Sequence, residues 1–210
     1  MKLTVLIPVY NTNPAHLMEA ANGILNQDDG NEHDIILLDD GSTNDGTIKA
    51  MRWISCMGKN ITIDRALSNQ GTSDALNAGH QLAKTEYVAI IGSDDVYDST
   101  KFRKQIEYLQ NHPETDVLGT QCFSFYDHDI TRKSNWTSKH LEKPAFNKTG
   151  FYVNHGTAIY RVKKAIEAGG YNLELRRGQD VDLWKRMYAN GCVFRNLPEV
   201  LTGWRRFKKD

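Results

Sequence analysis

The sequence predicts an α/β fold built on a mainly parallel sheet. Two observations carry that prediction. Through residues 1–125, short apolar runs dense enough to be buried on both faces alternate with stretches of helical length. Each of the first four runs also ends in a polar cluster, which is where open α/β sheets place their ligands.

Residues 3–9 (LTVLIPV) form the first strand. Residues 14–27 read as a helix, with Asn13 as its cap and Pro14 at its first position. Residues 34–38 (DIILL) give a second strand that ends at Asp39-Asp40-Gly41-Ser42. A helix over 44–56 leads to a third strand beginning at 61–63, and Gly71 opens a helix over 72–83. Residues 87–91 (YVAII) are the fourth strand, followed by a helix over 100–111 and a strand over 116–125. Residues 126–150 are polar and carry no clear period, which marks a long binding loop or lid. A short strand at 157–160, helices over 162–168 and 180–190, and a final strand at 192–194 complete the pattern.

The chain has 210 residues, enough for one domain with a sizeable core. Twenty-six basic and 26 acidic residues cancel, so nothing in the charge points to a nucleic-acid partner. The basic run Arg205-Arg206-Phe207-Lys208-Lys209 reads as a solvated tail. Cys56, Cys122 and Cys192 have neither metal-ligand nor disulfide-framework spacing, which fits a reducing, cytoplasmic setting. There is no signal-peptide pattern and no apolar run near the ~20 residues of a membrane helix. In that setting the sequons at Asn60, Asn135 and Asn147 are chance matches.

The polar clusters are Tyr10-Asn11, Asp39-Asp40, Ser68-Asn69 and Asp94-Asp95. Adjacent carboxylates raise each other's pKa, so the pair after strand four makes sense with a cation between them. Oxygen-loving Mg²⁺ or Mn²⁺, sharing a diphosphate, suits such a pair. The competing reading is a helix cap supplied by Asp95 or Ser99. No glycine fingerprint and no P-loop follow strand one; Tyr10 can instead stack on a base. An aspartate after strand two can accept a uracil imide N–H or a ribose hydroxyl.

On these residues the chain resembles the family 2 glycosyltransferases of GT-A fold. Val5-Leu6-Ile7-Pro8-Val9-Tyr10-Asn11 is similar to the family's first-strand signature, and the stretch from Asp39 to Thr47 (DDGSTNDGT) to its second. Asn69-Gln70-Gly71 and Ala75-Leu76-Asn77-Ala78-Gly79 resemble the third, and Gly92-Ser93-Asp94-Asp95 resembles the metal-binding DxD element. His155-Gly156-Thr157, Gly169-Gly170-Tyr171 and the run from Gln179 to Trp184 with Arg186 resemble the acceptor half. A second resemblance, to a domain of a larger viral glycosyltransferase acting in the host-cell cytoplasm, carries no residue assignments.

The family resemblance implies a mixed, Rossmann-like sheet flanked by helices, with residues 1–98 binding the nucleotide-sugar and 99–210 the acceptor. It implies a UDP-sugar or dTDP-sugar donor, a glycan or glycoconjugate acceptor, and inversion at the anomeric carbon. Asp94 and Asp95 would hold Mn²⁺ or Mg²⁺. Pro8, Val9, Tyr10, Asn11, Asp39, Asp40, Asn69, Gly71, Asp74, Ser93, Asp94 and His155 would line the donor site. Asp180, rather than Asp182, matches the catalytic base; the competing reading is a first-turn carboxylate that the helix dipole favours. Arg65 weighs evenly between a nucleotide contact and a surface charge, and Trp184 more as core than as a sugar platform.

Two positions depart from the family. Gly92 stands where an acidic residue is common, and Gln179 replaces a Glu. These departures keep a non-catalytic nucleotide-sugar binding module in play. A sugar-1-phosphate nucleotidylyltransferase would want a glycine-rich basic loop after strand one, which is absent. The short stretch after Trp204 leaves room for a further C-terminal domain.

Overall fold

The structure, a computed structural model, describes residues 1–126, 129–136 and 153–207, the segment 129–136 by its backbone alone. Its first half alternates as the sequence predicts: β1 (Thr4–Val9), α1 (Pro14–Leu25), β2 (Asp34–Asp39), α2 (Asp45–Ser55), β3 (Ile61–Arg65), α3 (Thr72–Leu82) and β4 (Tyr87–Ile90). Local chemistry sets the helix starts. Asn13 Oδ1 accepts from the Ala15 N–H ahead of Pro14, and Asn44 Oδ1 accepts from the Thr47 N–H.

Period-two alternation then divides the core. Val5, Ile7 and Val9 of β1 pack with α1, α2 and later α4, while Leu6 faces α3 and the helices of the second half. Both faces are covered, which is why these strands read as continuous apolar runs.

The second half runs β5 (Val96–Tyr97), α4 (Lys101–Asn111), β6 (Val117–Tyr126), β7 (Asp129–Trp136), a 3₁₀ turn (His155–Thr157), β8 (Ile159–Arg161), α5 (Val162–Glu167), α6 (Gln179–Ala189) and β9 (Phe194–Arg206). Among the described residues one sheet runs in the order β3-β2-β1-β4-β8-β6-β9-β5, with β7 on β6. The β1–β2, β2–β3, β1–β4 and β6–β9 pairs are parallel, and the pairs made by β5, β7 and β8 are antiparallel.

Three expectations need correction. The final strand is not residues 192–194 but the thirteen residues of β9. Arg195, Asn196 and Pro198 break its apolar run, and the ladder to β6 absorbs the irregularity through register shifts at Gly119–Cys122. The polar stretch after 125 is not all loop, since 126 ends β6 and 129–136 pair with it; the rest of the expected lid, 127–128 and 137–150, lies outside the described residues. In the basic end, Arg205 is not a solvated residue but is 6 % exposed within β9; Arg206 and Phe207 are exposed, and Lys208 and Lys209 lie outside the described residues.

The strand order reverses at β1, with β2 on one side and β4 on the other. Crevices at such switch points hold ligands. Pro8 helps to open this one. It has no N–H for a ladder, and β4 pairs β1 only over Thr4–Leu6 before turning away.

Candidate functional site

Four loops meet at the carboxyl ends of β1–β4, and hydrogen bonds lock them together. Asn11 has φ +48°, a left-handed conformation that asparagine tolerates. Its Oδ1 accepts from the N–H groups of Thr43 and Asn44, and its own N–H donates to Ser42 Oγ. Asn11 thus braces the first loop on the second. Asp39 is buried; it accepts from the Ser42 N–H and pairs with Arg65 at 3.3 Å, while Arg65 also donates to the Ser42 carbonyl. Asp40 accepts from Asn69 Nδ2, the Gln70 N–H and the Gly71 N–H, fixing the third loop on the second.

Gly41 makes this junction feasible. Its φ is +71°, and a Cβ there would stand 2.5 Å from the Ser68 carbonyl carbon. Gly41→Ala is therefore expected to destabilise by about 3 kcal/mol, the backbone strain adding to a clash with main chain. A melting temperature about 6–12 °C lower would register it; one within about 2 °C of wild type would contradict the packing.

Above this junction lies a cavity of ≈ 250 Å³. Tyr10, half exposed, forms one wall with Asp40, Asn69 and Gly71. Leu173, Leu175, Arg176 and Gln179, from the second half, form the other. Arg176 donates to the Gln70 carbonyl across the gap. Gly71, at φ +104°, leaves space for that guanidinium, since a Cβ would lie 2.5 Å from Arg176 Nη1. Sequence reasoning missed Arg176; the signal was a charged pair, Arg176-Arg177, shortly before the Gln179-Asp180 motif. Asp74 lies in the first turn of α3.

A second group lies on the β1–β4 crevice. Thr12 Oγ1 and Ser93 Oγ meet across it at 2.7 Å. Asp94 follows, partly exposed, and Asp95 is 7 % exposed. Asp95 does not cap α4; Asp98 accepts from the Thr100 N–H there. Burial, and then the charge of Asp94, push Asp95 up to about 7. Burial also raises Asp94, against the nearby charge of Arg205. Gly92 has a local reason: a Cβ there would overlap Asp95 Oδ2. Arg205 grips this turn. Its N–H donates to Asp95 Oδ1 at 3.0 Å, its Nε to the Asp94 carbonyl at 2.7 Å, and its guanidinium pairs with Glu19.

These residues fit a divalent cation. A buried carboxylate beside a partly exposed one, the first raised by burial and then by its neighbour's charge, is a donor set that a cation would relieve. No cluster of three or more His, Cys, Asp or Glu suited to a metal occurs among the described residues, and a cation held by one or two carboxylates completes its shell with other oxygens, such as water or phosphate.

A third group comes from the second half. His155, in the 3₁₀ turn, bonds Tyr171 Oη through Nε2 at 2.7 Å. Burial lowers its pKa, and the Asp180 carboxylate opposes that shift. Asp180 sits in the first turn of α6, behind Gly178 at φ +69°, and its carboxylate makes no hydrogen bond among the described residues. Asp182 is engaged: Arg186 pairs with its Oδ2 at 2.6 Å and also donates to the carbonyls of Ala168 and Gly170. Trp184 is fully buried, a core residue.

Residues 4–169 match the family described as "Glycosyl transferase family 2". The chain is 30 % identical over 200 residues to the "Amylovoran biosynthesis glycosyltransferase AmsE" of Erwinia amylovora, covering 94 % of this chain and 74 % of the relative. The chain belongs to glycosyl transferase family 2. The family match stops before Asp180. The fold is that of the GT-A glycosyltransferases. TarS 1–349 from S. aureus, in complex with UDP-GlcNAc, superimposes with a TM-score of 0.80 at 19 % identity, over 100 % of this chain and 60 % of that one. The mannosyltransferase PcManGT from Pyrobaculum calidifontis, with GDP-Man and Mn²⁺, gives 0.73 at 16 % identity, over 96 % and 56 %. The chain thus spans about three quarters of the curated relative and under two thirds of these structures. Among the described residues of this family 2 member, no helix is long and apolar enough to cross a membrane.

Proposed function

We propose that this chain is an inverting, metal-dependent glycosyltransferase that moves a sugar from a UDP-sugar or dTDP-sugar to a hydroxyl of a glycan or glycoconjugate. The observation that carries the reading is the convergence at the switch point. Half-exposed Tyr10 shares a cavity with Gln179, the neighbour of Asp180, and the 3₁₀ turn of His155 lies near both Asp180 and the Asp94–Asp95 pair at the end of β4. The UDP-GlcNAc and GDP-Man complexes of proteins with this fold support a nucleotide-sugar donor and leave its base and sugar open. The binding-module alternative predicts UDP affinity without UDP release from any donor.

In this reading residues 1–98 hold the nucleotide and 99–210 present the acceptor, with Arg176 and Gln179 crossing to the nucleotide side. Tyr10 stacks on the base. Pro8 and Val9 shape the crevice. Asp39, Asp40, Asn11, Asn69 and Gly71 form the rim against which base and ribose lie, and Asp74 and Ser93 flank it. His155 donates toward the diphosphate. Asp94 and Asp95 would hold Mn²⁺ or Mg²⁺, which when bound meets the charge developing on the leaving diphosphate. Asp180 takes the proton of the acceptor hydroxyl as that oxygen attacks the anomeric carbon and the bond to the diphosphate breaks.

Tyr10→Ala tests the nucleotide end. Base–aromatic stacking is worth roughly 1–3 kcal/mol, so the Kd for UDP by calorimetry is expected to rise about 5- to 150-fold. An unchanged Kd would remove Tyr10 from the base site.

A further inference from the structure

Behind the proposed reacting centre, four hydrogen-bonding rings stand in series. His80 Nε2 bonds Tyr160 Oη at 2.7 Å, Tyr160 Oη bonds Tyr171 Oη at 3.0 Å, and Tyr171 Oη bonds His155 Nε2 at 2.7 Å. The series crosses from α3 through β8 and the segment after α5 to the 3₁₀ turn. His80, Tyr160 and Tyr171 are buried, and only His155, at the open end, reaches solvent.

Two motifs without a place in the donor site build this series. Asn77 clasps the Tyr171 main chain, its Oδ1 accepting from the N–H and its Nδ2 donating to the carbonyl, each at 2.8 Å. Gly170, at φ +65°, lets the chain approach, since a Cβ there would lie 2.6 Å from Asn77 Oδ1. One helical turn on from Asn77, His80 stacks on the Tyr171 ring at 5.3 Å and 26°. Trp184 packs edge-on against both Tyr160 and His155.

The series has a direction. Burial pulls His80 down to about 4, so near neutral pH its ring carries one proton. Its Nδ1 is buried without a hydrogen-bond partner. An orphaned N–H is rarer in proteins than an orphaned acceptor, which puts the proton on Nε2. His80 Nε2–H then donates to Tyr160, Tyr160 O–H to Tyr171, and Tyr171 O–H to His155 Nε2. Each oxygen has one proton to give, so the order at one end dictates the order at the other.

We infer that the His80–Tyr160–Tyr171 series holds His155 as the Nδ1–H tautomer, with its ring orientation fixed, so that Nδ1–H is the one donor His155 can offer a ligand. Tyr171, with Tyr160 and His80 behind it, is a positioning residue acting through His155. The location gives this consequence, on the proposed reading of the site. His155 is subject to the charge of Asp180, and a Cβ on its neighbour Gly156 would stand 3.4 Å from Asp95 Oδ2. On the proposed reading, a donor of fixed direction in this neighbourhood suits an oxygen of the diphosphate. The opposite tautomer would put a lone pair there instead.

The experiment is long-range ¹H–¹⁵N correlation of the seven histidine rings in the ligand-free protein, with His155→Gln and His80→Gln assigning the signals. His155 is expected as the Nδ1–H tautomer and His80 as Nε2–H. Tyr171→Phe is expected to leave His155 a mixture of tautomers, and Tyr160→Phe, one step further back, to do the same should Tyr171→Phe fail to fold. An Nε2–H His155 in wild type, or a tautomer unmoved in the folded variants, overturns the inference. Because no ligand is present, this result stands whether or not the protein transfers sugar. Where wild type releases UDP from a donor, a folded variant is expected to lose about tenfold in kcat with donor KM within about twofold. An unchanged kcat would overturn the positioning role.

Discussion

Asp180→Asn is expected to lower kcat for sugar transfer by about 10²- to 10⁴-fold while leaving UDP affinity within about twofold. The size follows from removing a general base, whose contribution is typically of that order. Asparagine keeps the shape of the side chain and loses the basic oxygen, so binding and catalysis separate. The neighbouring carboxylate supplies the control. Asp182 shares Arg186 with the carbonyls of Ala168 and Gly170, so Asp182→Asn is expected to loosen α6 from the 168–170 turn and to act mainly on stability. Full transfer by Asp180→Asn, with transfer abolished by a folded Asp182→Asn, would reassign the base.

The second large effect concerns a buried lysine. Lys101 is fully buried at the start of α4, where its Nζ donates to Gln105 Oε1 at 2.6 Å and to the Thr157 carbonyl at 3.2 Å. It supports the 3₁₀ turn that carries His155. Among the described residues no carboxylate pairs with it, and burial pulls its pKa from 10.5 down to about 7. The unfolded chain keeps the ordinary value, so between pH 7 and 10.5 it binds more proton than the folded chain. Stability therefore rises with pH through that window. From pH 7 to 9.5 the Lys101 contribution should rise by on the order of 3 kcal/mol. Lys101→Met cannot titrate. The difference in urea-unfolding free energy between wild type and Lys101→Met should shift in favour of wild type by that amount over the same range. A difference that stays constant with pH would mean that Lys101 is charged in the folded protein.

How far the sequence could be read depended on what each signal was made of. The β1–β4 half was legible because both-face burial writes unbroken apolar runs, and Asn13, Pro14 and Asn44 mark helix starts by local chemistry alone; two-residue β5 was not. β9 was illegible because Arg195 and Asn196 pair with β6 and Pro198 falls where the register shifts, a relation 77 residues away in sequence (Val117 to Phe194). Arg205 looked like a tail charge for the same reason: its partners Asp95, Asp94 and Glu19 lie 110, 111 and 186 residues away in sequence. Residue type did mark the site edge, and the structure brings Tyr10, Asp40, Asn69 and Gly71 to one cavity. It did not reveal that Asn11 and Asp40 also spend their polar atoms bracing loops. Nor did it reveal that Gly92 accommodates the carboxylate of Asp95. Asn77, Tyr171 and His155 stood in recognisable motifs, yet only the fold joins them.

The most direct measurement is the shift in melting temperature on adding UDP, with and without Mn²⁺, for wild type and Asp94→Ala. A ligand that binds only the folded state stabilises by RT ln(1 + [L]/Kd), about 2.7 kcal/mol at one hundred times Kd. The expected result is a UDP shift in wild type that grows with Mn²⁺, and no Mn²⁺-dependent part in Asp94→Ala. The same Mn²⁺-dependent shift in both proteins, or none in wild type with UDP, dTDP or GDP, would contradict a metal–diphosphate site at the end of β4.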